Sequence, residues 1–203
     1  LSYDVETIVS VHNAAKIVTD AEENKVPIQY VRDSKTIGAM NYKMAFYAKV
    51  PALGYTVYRM YFKTQEENYE TTLSVSDERL ENRFLRVDFD GATGEISSIY
   101  DKTTKRQLMG CSSAVLMDES DSDTWAHGIY SFRKCAAVCE SGSVKLIEKG
   151  PVRAAVRCEQ TFERTHIIRD YYLGELDKKL TVKTKIDFRE KHRMLKLMSR
   201  VTV

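Results

Sequence analysis

The sequence predicts an all-β protein made of antiparallel strands, and two observations support this prediction. The first is a period-two alternation of apolar and polar residues. It is clearest from Leu180 to Phe188, where Val182 and Ile186 also fall on the apolar side. The second is a composition of twelve Tyr against one Trp, with abundant Val and Thr, which favours strands. No stretch predicts a helix of more than two turns, and residues 180–188 are expected to form a half-buried strand.

Extended segments fill the first third of the chain and predict a small β-sandwich. They are residues 7–13, 27–31, 42–50 and 55–62. Residues 63–78 are mostly polar, so we expect a domain boundary there. The sequence thus predicts two domains, residues 1–77 and residues 78–203.

The second domain begins with a predicted hairpin. Two strand-like runs, residues 84–89 and 95–100, flank residues 90–94, a short loop that contains two glycines. Residues 101–105 predict another turn. Further along, residues 152–158 place apolar side chains on one face and charged ones on the other, as expected for a strand.

Composition excludes several classes of function. Charged residues make up 30% of the chain and apolar residues 43%, and the net charge is +2 with basic residues spread among acidic ones. This balance predicts neither nucleic acid nor a membrane surface as a partner. No apolar run reaches the roughly 18 residues that a membrane span needs.

The two ends of the chain predict a piece of a longer protein. The sequence begins without Met and carries no signal peptide, and its last residues still have a strand pattern. A strand that stops at a sheet edge leaves unpaired backbone groups. We therefore expect an edge through which two copies could pair as a homo-oligomer.

The four cysteines do not form a zinc-ribbon pattern, because no second close pair accompanies Cys135 and Cys139. On a strand, these two residues would point to the same side. Buried or half-buried free thiols are the favoured interpretation, and a disulfide or a metal-binding pair is the alternative. Reduced cysteines would fit a cytoplasmic protein.

One loop concentrates polar and aromatic side chains. Asp123, Trp125 and His127 lie within residues 121–128, which hold the only Trp of the chain. A carboxylate can accept hydrogen bonds from sugar hydroxyls and an aromatic face can pack on sugar C–H groups, so these three residues are candidate sugar contacts. Alternatively, the Trp fills the sandwich core. Calcium is a weaker alternative for residues 118–123, which lack the terminal Glu of an EF-hand loop.

No catalytic or metal-binding residue can be assigned from motifs. The four histidines lie in no metal-ligand spacing, and the chain has neither a phosphate-binding glycine loop nor a nucleophile elbow.

Several motifs occur in an order that resembles a known family. They are PALGY (51–55), ENRFLRV (81–87), TGEISSIYDK (93–102), DTWAHG (123–128), GPVR (150–153) and DFREKH (187–192). Together they resemble the C-terminal β region of bacterial glycoside hydrolase family 38 α-mannosidases. The resemblance covers essentially the whole chain.

This resemblance implies an architecture and an activity. Residues 1–77 would be a small β domain, and residues 78–203 the first part of a supersandwich similar to galactose mutarotase. The parent would be a retaining, zinc-dependent α-mannosidase that acts on mannose-containing glycans. Its catalytic and zinc-binding motifs have no match here, so we expect an inactive fragment without a cofactor that buttresses its own catalytic domain.

Three other functions remain as alternatives. The first is a stand-alone carbohydrate-binding β-sandwich module. The second is a purely structural or adhesive β-sandwich protein, and the absence of repeats disfavours the adhesive form. The third is a mutarotase-like enzyme with a histidine base paired with a Glu. His127, His166 and His192 cannot be ranked for that role.

Overall fold

The computed structural model describes residues 2–11, 15–31, 42–62, 68–119, 125, 127, 130–139 and 141–202. These residues contain strands, turns and loops but no helix, so the predicted all-β class is confirmed. They divide into two compact units. The predicted domain division at residues 77 and 78 stays a prediction.

The first unit comprises residues 1–73, 148–154 and 174–176. Two three-stranded antiparallel sheets form it, with strand orders β1-β5-β4 and β3-β2-β6. The strands are β1 (Ser2–Val11), β2 (Ile17–Thr19), β3 (Lys25–Val26), β4 (Ile28–Val31), β5 (Tyr42–Pro51) and β6 (Arg59–Tyr61).

The core of the first unit draws apolar side chains from both sheets, as a sandwich requires. Val18 of β2 and Met44 and Phe46 of β5 are buried together. The Phe46 ring lies 5.1 Å from that of Tyr58 in a tilted arrangement. The β-branched and aromatic composition that predicted these strands therefore also supplies their packing.

A polar network joins the later segment 148–153 to the first unit. The Gln29 side-chain oxygen accepts hydrogen bonds from the backbone N–H groups of Val152 (3.1 Å) and Arg153 (2.9 Å). The Gln29 amide group donates to Glu148 at 2.8 Å. Arg153 in turn donates to Glu148 and to Glu6 of β1. These buried groups satisfy one another, so segment 148–153 is fixed on β1 and β4.

The second unit comprises residues 74–147, 155–173 and 177–203. One of its sheets has seven strands in the order β12-β11-β10-β9-β8-β7, with β17 also paired to β11; the other has the order β13-β14-β15-β16. The strands are β7 (Ser74–Ser76), β8 (Arg79–Glu81), β9 (Leu85–Phe89), β10 (Ile96–Asp101), β11 (Arg106–Asp118), β12 (Cys135–Val138), β13 (Gly142–Glu148), β14 (Arg153–Phe162), β15 (Thr165–Gly174), β16 (Thr181–Asp187) and β17 (Arg193–Val201).

The predicted hairpin at residues 84–100 is confirmed, because β9 and β10 pair in antiparallel fashion. The Asp90 carboxylate accepts the backbone N–H groups of Ala92 and Thr93, both at 2.9 Å. These hydrogen bonds, first that from Thr93, hold the pKa of Asp90 below its usual value. Gly94 follows with φ +71°, a conformation that glycine adopts without strain. Asp101 likewise accepts the N–H groups of Thr103 and Thr104 in the next predicted turn.

Strand β11 organises the larger sheet of the second unit. It pairs with β10 up to Ser112 and with β12 from Val115, and it pairs with β17 from Met109 to Asp118. Side chains of β11, β14 and β15 meet in a buried cluster that includes Leu116, Phe162 and Ile167, so the two sheets of this unit pack face to face.

Two sequence predictions are wrong in part. Residues 180–188 do contain an antiparallel strand, β16, but every residue of β16 is exposed rather than half-buried. Val182 and Ile186 are 44% and 48% exposed, because β16 is an edge strand and no described residue covers its apolar face. In the first unit, residues 55–58 are not in a strand, and only Arg59–Tyr61 pair with β2.

Within the described ranges, no helix has the length and hydrophobicity to cross a membrane.

Candidate functional site

The candidate sugar contacts lie between the end of β11 and the start of β12, and the base of this connection is held by Asp118. One Asp118 oxygen lies 2.6 Å from Lys134 Nζ and the other 3.0 Å from Arg193 Nη1. The Asp118 N–H donates to the Lys134 carbonyl at 2.8 Å, and the Glu119 N–H donates to the His192 carbonyl at 3.0 Å. The connection is therefore fixed to β17 and to the residue before β12.

Lys196 of β17 holds the returning side of the connection. Its Nζ donates to the Phe132 carbonyl at 2.8 Å and lies 5.9 Å from the centre of the Phe132 ring. An ammonium group over an aromatic face is favourable, and the hydrogen bond fixes its position. Residues that leave β11 and residues that enter β12 are thus both held by β17.

Two aromatic side chains of this connection, those of Trp125 and Tyr130, are exposed. Trp125 is 80% exposed, Tyr130 is 99% exposed, and His127 is also exposed. Asp123 lies outside the described residues. The alternative in which Trp125 fills the sandwich core is wrong, because its side chain is exposed and the buried cluster of the second unit does not include it. An exposed indole can pack on a sugar ring or on another apolar surface.

Cation binding at residues 118–123 finds no support in the part of this segment that the structure describes. Both Asp118 oxygens lie within ion-pair distance of basic side chains, which occupy the positions a calcium ion would take. Residues 120–123 lie outside the described residues.

The histidines considered for a mutarotase-like base lie on separate elements. His127 lies in the connection before β12, His166 lies in β15 opposite Asp187 of β16, and His192 directly precedes β17. His12 lies outside the described residues.

The structure contains a buried polar cluster that sequence reasoning missed. Arg169 of β15 donates to the side-chain oxygen of Gln160, and the Gln160 amide group donates to the Thr93 carbonyl at 2.8 Å and to Glu95 at 3.3 Å. The same Glu95 oxygen accepts the Ala114 N–H at 2.9 Å. Gln160 thus lies between a buried guanidinium and a carboxylate. The sequence contained one signal for this cluster. Arg169 occupies an inward-facing position of β15, between the apolar positions of Ile167 and Tyr171.

The four cysteines are free thiols. Burial raises the pKa of Cys139, whose Sγ donates to the Ser141 carbonyl at 3.0 Å, and burial raises the pKa of Cys158 to about 12. A thiol with a raised pKa is a poor nucleophile and a poor metal ligand, because both roles need the thiolate. Cys139 and Cys158 therefore belong to the core.

Comparison with family models and solved structures agrees with this architecture. Residues 80–203, more than half of the chain, match the glycosyl hydrolases family 38 C-terminal domain. A family 38 glycosyl hydrolase from Enterococcus faecalis is similar in structure, with a TM-score of 0.61 and 13% identity over 97% of this chain. An alpha-mannosidase from Enterococcus faecalis V583 has a TM-score of 0.62, with the same identity and coverage. No curated protein sequence matches.

The fold and this match define a β-sandwich domain of a glycoside hydrolase. The chain belongs to glycosyl hydrolase family 38, and the resemblance found in its motifs is confirmed. It spans 30% of the length of each of the two solved structures.

Proposed function

We propose that this chain is the non-catalytic β region of an α-mannosidase that hydrolyses α-mannosidic bonds with retention. The match of residues 80–203 to the family 38 C-terminal domain carries this proposal. The two similar solved structures, one of them an alpha-mannosidase, support it. We further propose that the chain buttresses the catalytic domain of the same protein.

The buried charged groups of the chain support a scaffolding role. Arg153 binds both Glu148 and Glu6, and Arg169 and Glu95 both bind Gln160. These side chains hold together segments of the chain that are far apart in sequence. Their hydrogen bonds are internal, as expected for a rigid support.

The zinc ion implied by the family does not fit the described residues. No three His, Cys, Asp or Glu side chains among them come together in a way that could hold a metal. We therefore propose that the zinc-binding and catalytic residues of the parent lie in its other regions, and we derive no catalytic step for this chain.

Hydrolysis of an aryl α-mannoside tests the proposal. The purified chain and the full-length parent are assayed side by side, with and without added zinc. Activity of the parent alone is the expected result, and the parent should lose activity on chelation of the metal. Zinc-dependent hydrolysis by the isolated chain would contradict the proposal.

Sugar contact through the β11–β12 connection is a second candidate function, favoured by the exposure of Trp125. Asp123, Trp125 and His127 would contact mannose units, either at the wall of the parent's sugar site or in a free-standing binding module. Trp125 is the only Trp, so its fluorescence reports on this connection alone. We expect the fluorescence of Trp125 to change in a saturable way when the chain is titrated with α-mannobiose.

Two variants complete this test. Trp125→Ala should abolish binding measured by calorimetry, and His127→Ala should weaken it. Tyr55→Ala is the matched control, because Tyr55 is an exposed aromatic residue of the first unit, at 86% exposure. A fluorescence change that Tyr55→Ala also removes would contradict a site at Trp125.

We also propose a cytoplasmic location, supported by the four free thiols. Thiol titration of the denatured parent, isolated from its native cells under acid quench, should find all four cysteines reduced. Oxidised cysteines would contradict the proposal.

A further inference from the structure

The turn between β8 and β9 carries an exposed arginine on a firmly held backbone. The buried side-chain oxygen of Asn82 accepts the backbone N–H groups of Phe84 and Leu85, both at 2.8 Å. An Asn that bonds the backbone a few residues further on holds the chain in a turn. Arg83 lies within this turn, and its side chain is exposed. The turn therefore presents a cation to the solvent.

Two other segments of the second unit are joined to this turn. The Asn82 amide group donates to the Asp177 carbonyl at 2.8 Å, so the backbone directly before Lys178 is held there. The backbone N–H of Lys102 donates to the Phe84 carbonyl, and Lys102 Nζ donates to the Asn82 carbonyl, both at 2.8 Å. Three segments that are far apart in sequence therefore meet at one place, and each of them carries basic residues.

Arg83 and Lys178 lie against the same aromatic ring. Arg83 Cζ is 4.6 Å from the centre of the Phe84 ring, and Lys178 Nζ is 5.2 Å from it. The ring attracts both cations, because its π face is negative. Since each charge lies about 5 Å from one point, the two charges are within about 10 Å of each other. A guanidinium and an ammonium group are thus brought together at an exposed place.

The described residues supply no counter-ion for this pair of cations. None of their carboxylates lies within ion-pair distance of Arg83 or Lys178. The neighbouring Glu81 is already paired with Lys102, at 2.6 Å. Lys179 adds a further exposed positive charge. Like charges in this arrangement repel one another, and an anion bound between them would remove the repulsion.

We propose that Arg83 and Lys178 form a binding site for a phosphate group. The planar guanidinium of Arg83 can donate two parallel hydrogen bonds to phosphate oxygens, and the ammonium of Lys178 can donate to a third oxygen. A carboxylate has only two oxygens, which Arg83 alone would occupy. Because both side chains are exposed and salt screens their charges, we expect a Kd on the order of 1 mM. This proposal does not depend on the proposed function.

Nuclear magnetic resonance of the isotopically labelled chain, titrated with inorganic phosphate at low ionic strength, tests the site. The amide signals of Arg83, Phe84 and Lys178 should shift in a saturable way. Arg83→Gln and Lys178→Gln should each weaken binding by about tenfold, because each removes a charged donor. Arg83→Lys keeps the charge but loses the planar geometry, so it should weaken binding less than Arg83→Gln.

Arg133→Gln is the matched control. Arg133 is exposed, as Arg83 is, and no carboxylate of a described residue pairs with it. It adjoins Lys134, whose carbonyl binds the end of β11, whereas Lys102 lies near the start of this strand. The 13 residues of β11 span about 40 Å, so Arg133 is remote from the proposed site. This variant loses the same charge and should bind phosphate like the wild type.

Two further ligands identify the source of the phosphate group. Glycerol 3-phosphate carries the group on an organic molecule, and glycerol is its uncharged counterpart. Shifts with both inorganic phosphate and glycerol 3-phosphate would indicate that the site accepts phosphate esters, whereas shifts with inorganic phosphate alone would indicate a site for the free ion. Glycerol should shift none of these amide signals, and the same shifts with glycerol would contradict the proposal.

Several results would overturn the proposal. They are the absence of a saturable shift, phosphate binding that Arg83→Gln leaves unchanged, and equal weakening in Arg133→Gln, which would indicate a general effect of net charge. Circular dichroism of each variant should match that of the wild type, since the substituted side chains are exposed.

Equilibrium dialysis extends the test to the full-length parent. The parent with Arg83→Gln should bind less phosphate than the wild-type parent. Equal binding would mean that other regions of the parent cover these cations, and it would also contradict the proposal.

Discussion

Arg153 donates two parallel hydrogen bonds to Glu148, from Nε to Oε1 at 2.6 Å and from Nη2 to Oε2 at 3.0 Å. Both side chains are largely buried, at 7% and 12% exposure. Burial opposes the charge on Arg153, but the hydrogen bonds and charges of Glu148 and Glu6 raise its pKa overall. The pair therefore depends on both partners being present.

We expect Arg153→Met to lower the free energy of unfolding by about 3–5 kcal/mol, because it leaves Glu148 buried without its counter-ion. Urea denaturation followed by circular dichroism measures this. Arg189→Met is the matched control, since Arg189 pairs with Asp187 in a similar two-bond geometry that is 67% and 52% exposed. Because that pair is solvent-exposed, its loss should leave the free energy of unfolding nearly unchanged. If Arg153→Met and Arg189→Met lowered the free energy of unfolding equally, burial of the Arg153–Glu148 pair would not be the cause of its contribution.

We expect Gly94→Ala to destabilise the chain by roughly 1–3 kcal/mol. Gly94 has φ +71°, and an added Cβ would lie 3.1 Å from the Ser143 carbonyl oxygen. Gly110→Ala is the control, because its Cβ would approach no heavy atom closer than 4.0 Å. That substitution should leave the unfolding midpoint in urea unchanged or slightly raised. A stable Gly94→Ala variant would mean that the hairpin loop accepts another backbone conformation.

We expect Leu53→Asn to raise the melting temperature. Leu53 has φ +55° and is fully exposed, so its side chain contributes strain without packing. Asn tolerates this conformation, and relief of the strain should contribute about 0.5–1 kcal/mol. Leu53→Ala keeps the strain and should leave the melting temperature nearly unchanged in calorimetry. A similar increase in both variants would assign the effect to lost surface hydrophobicity instead.

Stability should fall at alkaline pH. Burial raises the pKa of Cys158 from 9.0 to about 12 and that of Tyr171 from 10.0 to about 12. Between the ordinary and the raised pKa, the unfolded state has lost protons that the folded state keeps, so the free energy of unfolding decreases as pH rises. The decrease in the free energy of unfolding should begin near pH 9 and approach about 1.4 kcal/mol per pH unit for each of these two side chains.

Cys158→Ala isolates the contribution of the thiol. Its urea midpoint should decrease less between pH 9 and 10 than that of the wild type, since Cys158 titrates first in the unfolded state. Cys135→Ala removes an exposed thiol and should keep the wild-type slope. Identical slopes for the two variants would rule out Cys158 as a source of the pH dependence.

The sequence predicted correctly those elements whose structure is determined by residues close together in the chain. Asp90 and Gly94 lie within one turn, and their hydrogen bonds and backbone angle are fixed by neighbours in sequence. The alternation of residues 180–188 likewise predicted β16. Its burial could not be predicted, because exposure depends on whether a facing layer covers the strand, and alternation does not contain that information.

Long-range contacts explain what sequence reasoning missed. Gln29 binds Val152 and Arg153 across more than one hundred positions, and nothing near either end indicates the other. The Glu95–Gln160–Arg169 cluster is hidden for the same reason. At the candidate site, the motif located the aromatic connection, but only the structure could decide that Trp125 faces outward.

The assignment of residues 148–154 and 174–176 to the first unit affects how the chain can fold during synthesis. Residues 2–73 leave the ribosome without the segment that Gln29 binds and without Glu175, whose carboxylate binds Thr71 and Thr72. The first unit must therefore remain incomplete while roughly 100 further residues are translated, about 5–20 s at usual rates. The first unit therefore cannot complete its fold until the second half of the chain, which contains residues 148–154 and 174–176, has been synthesised.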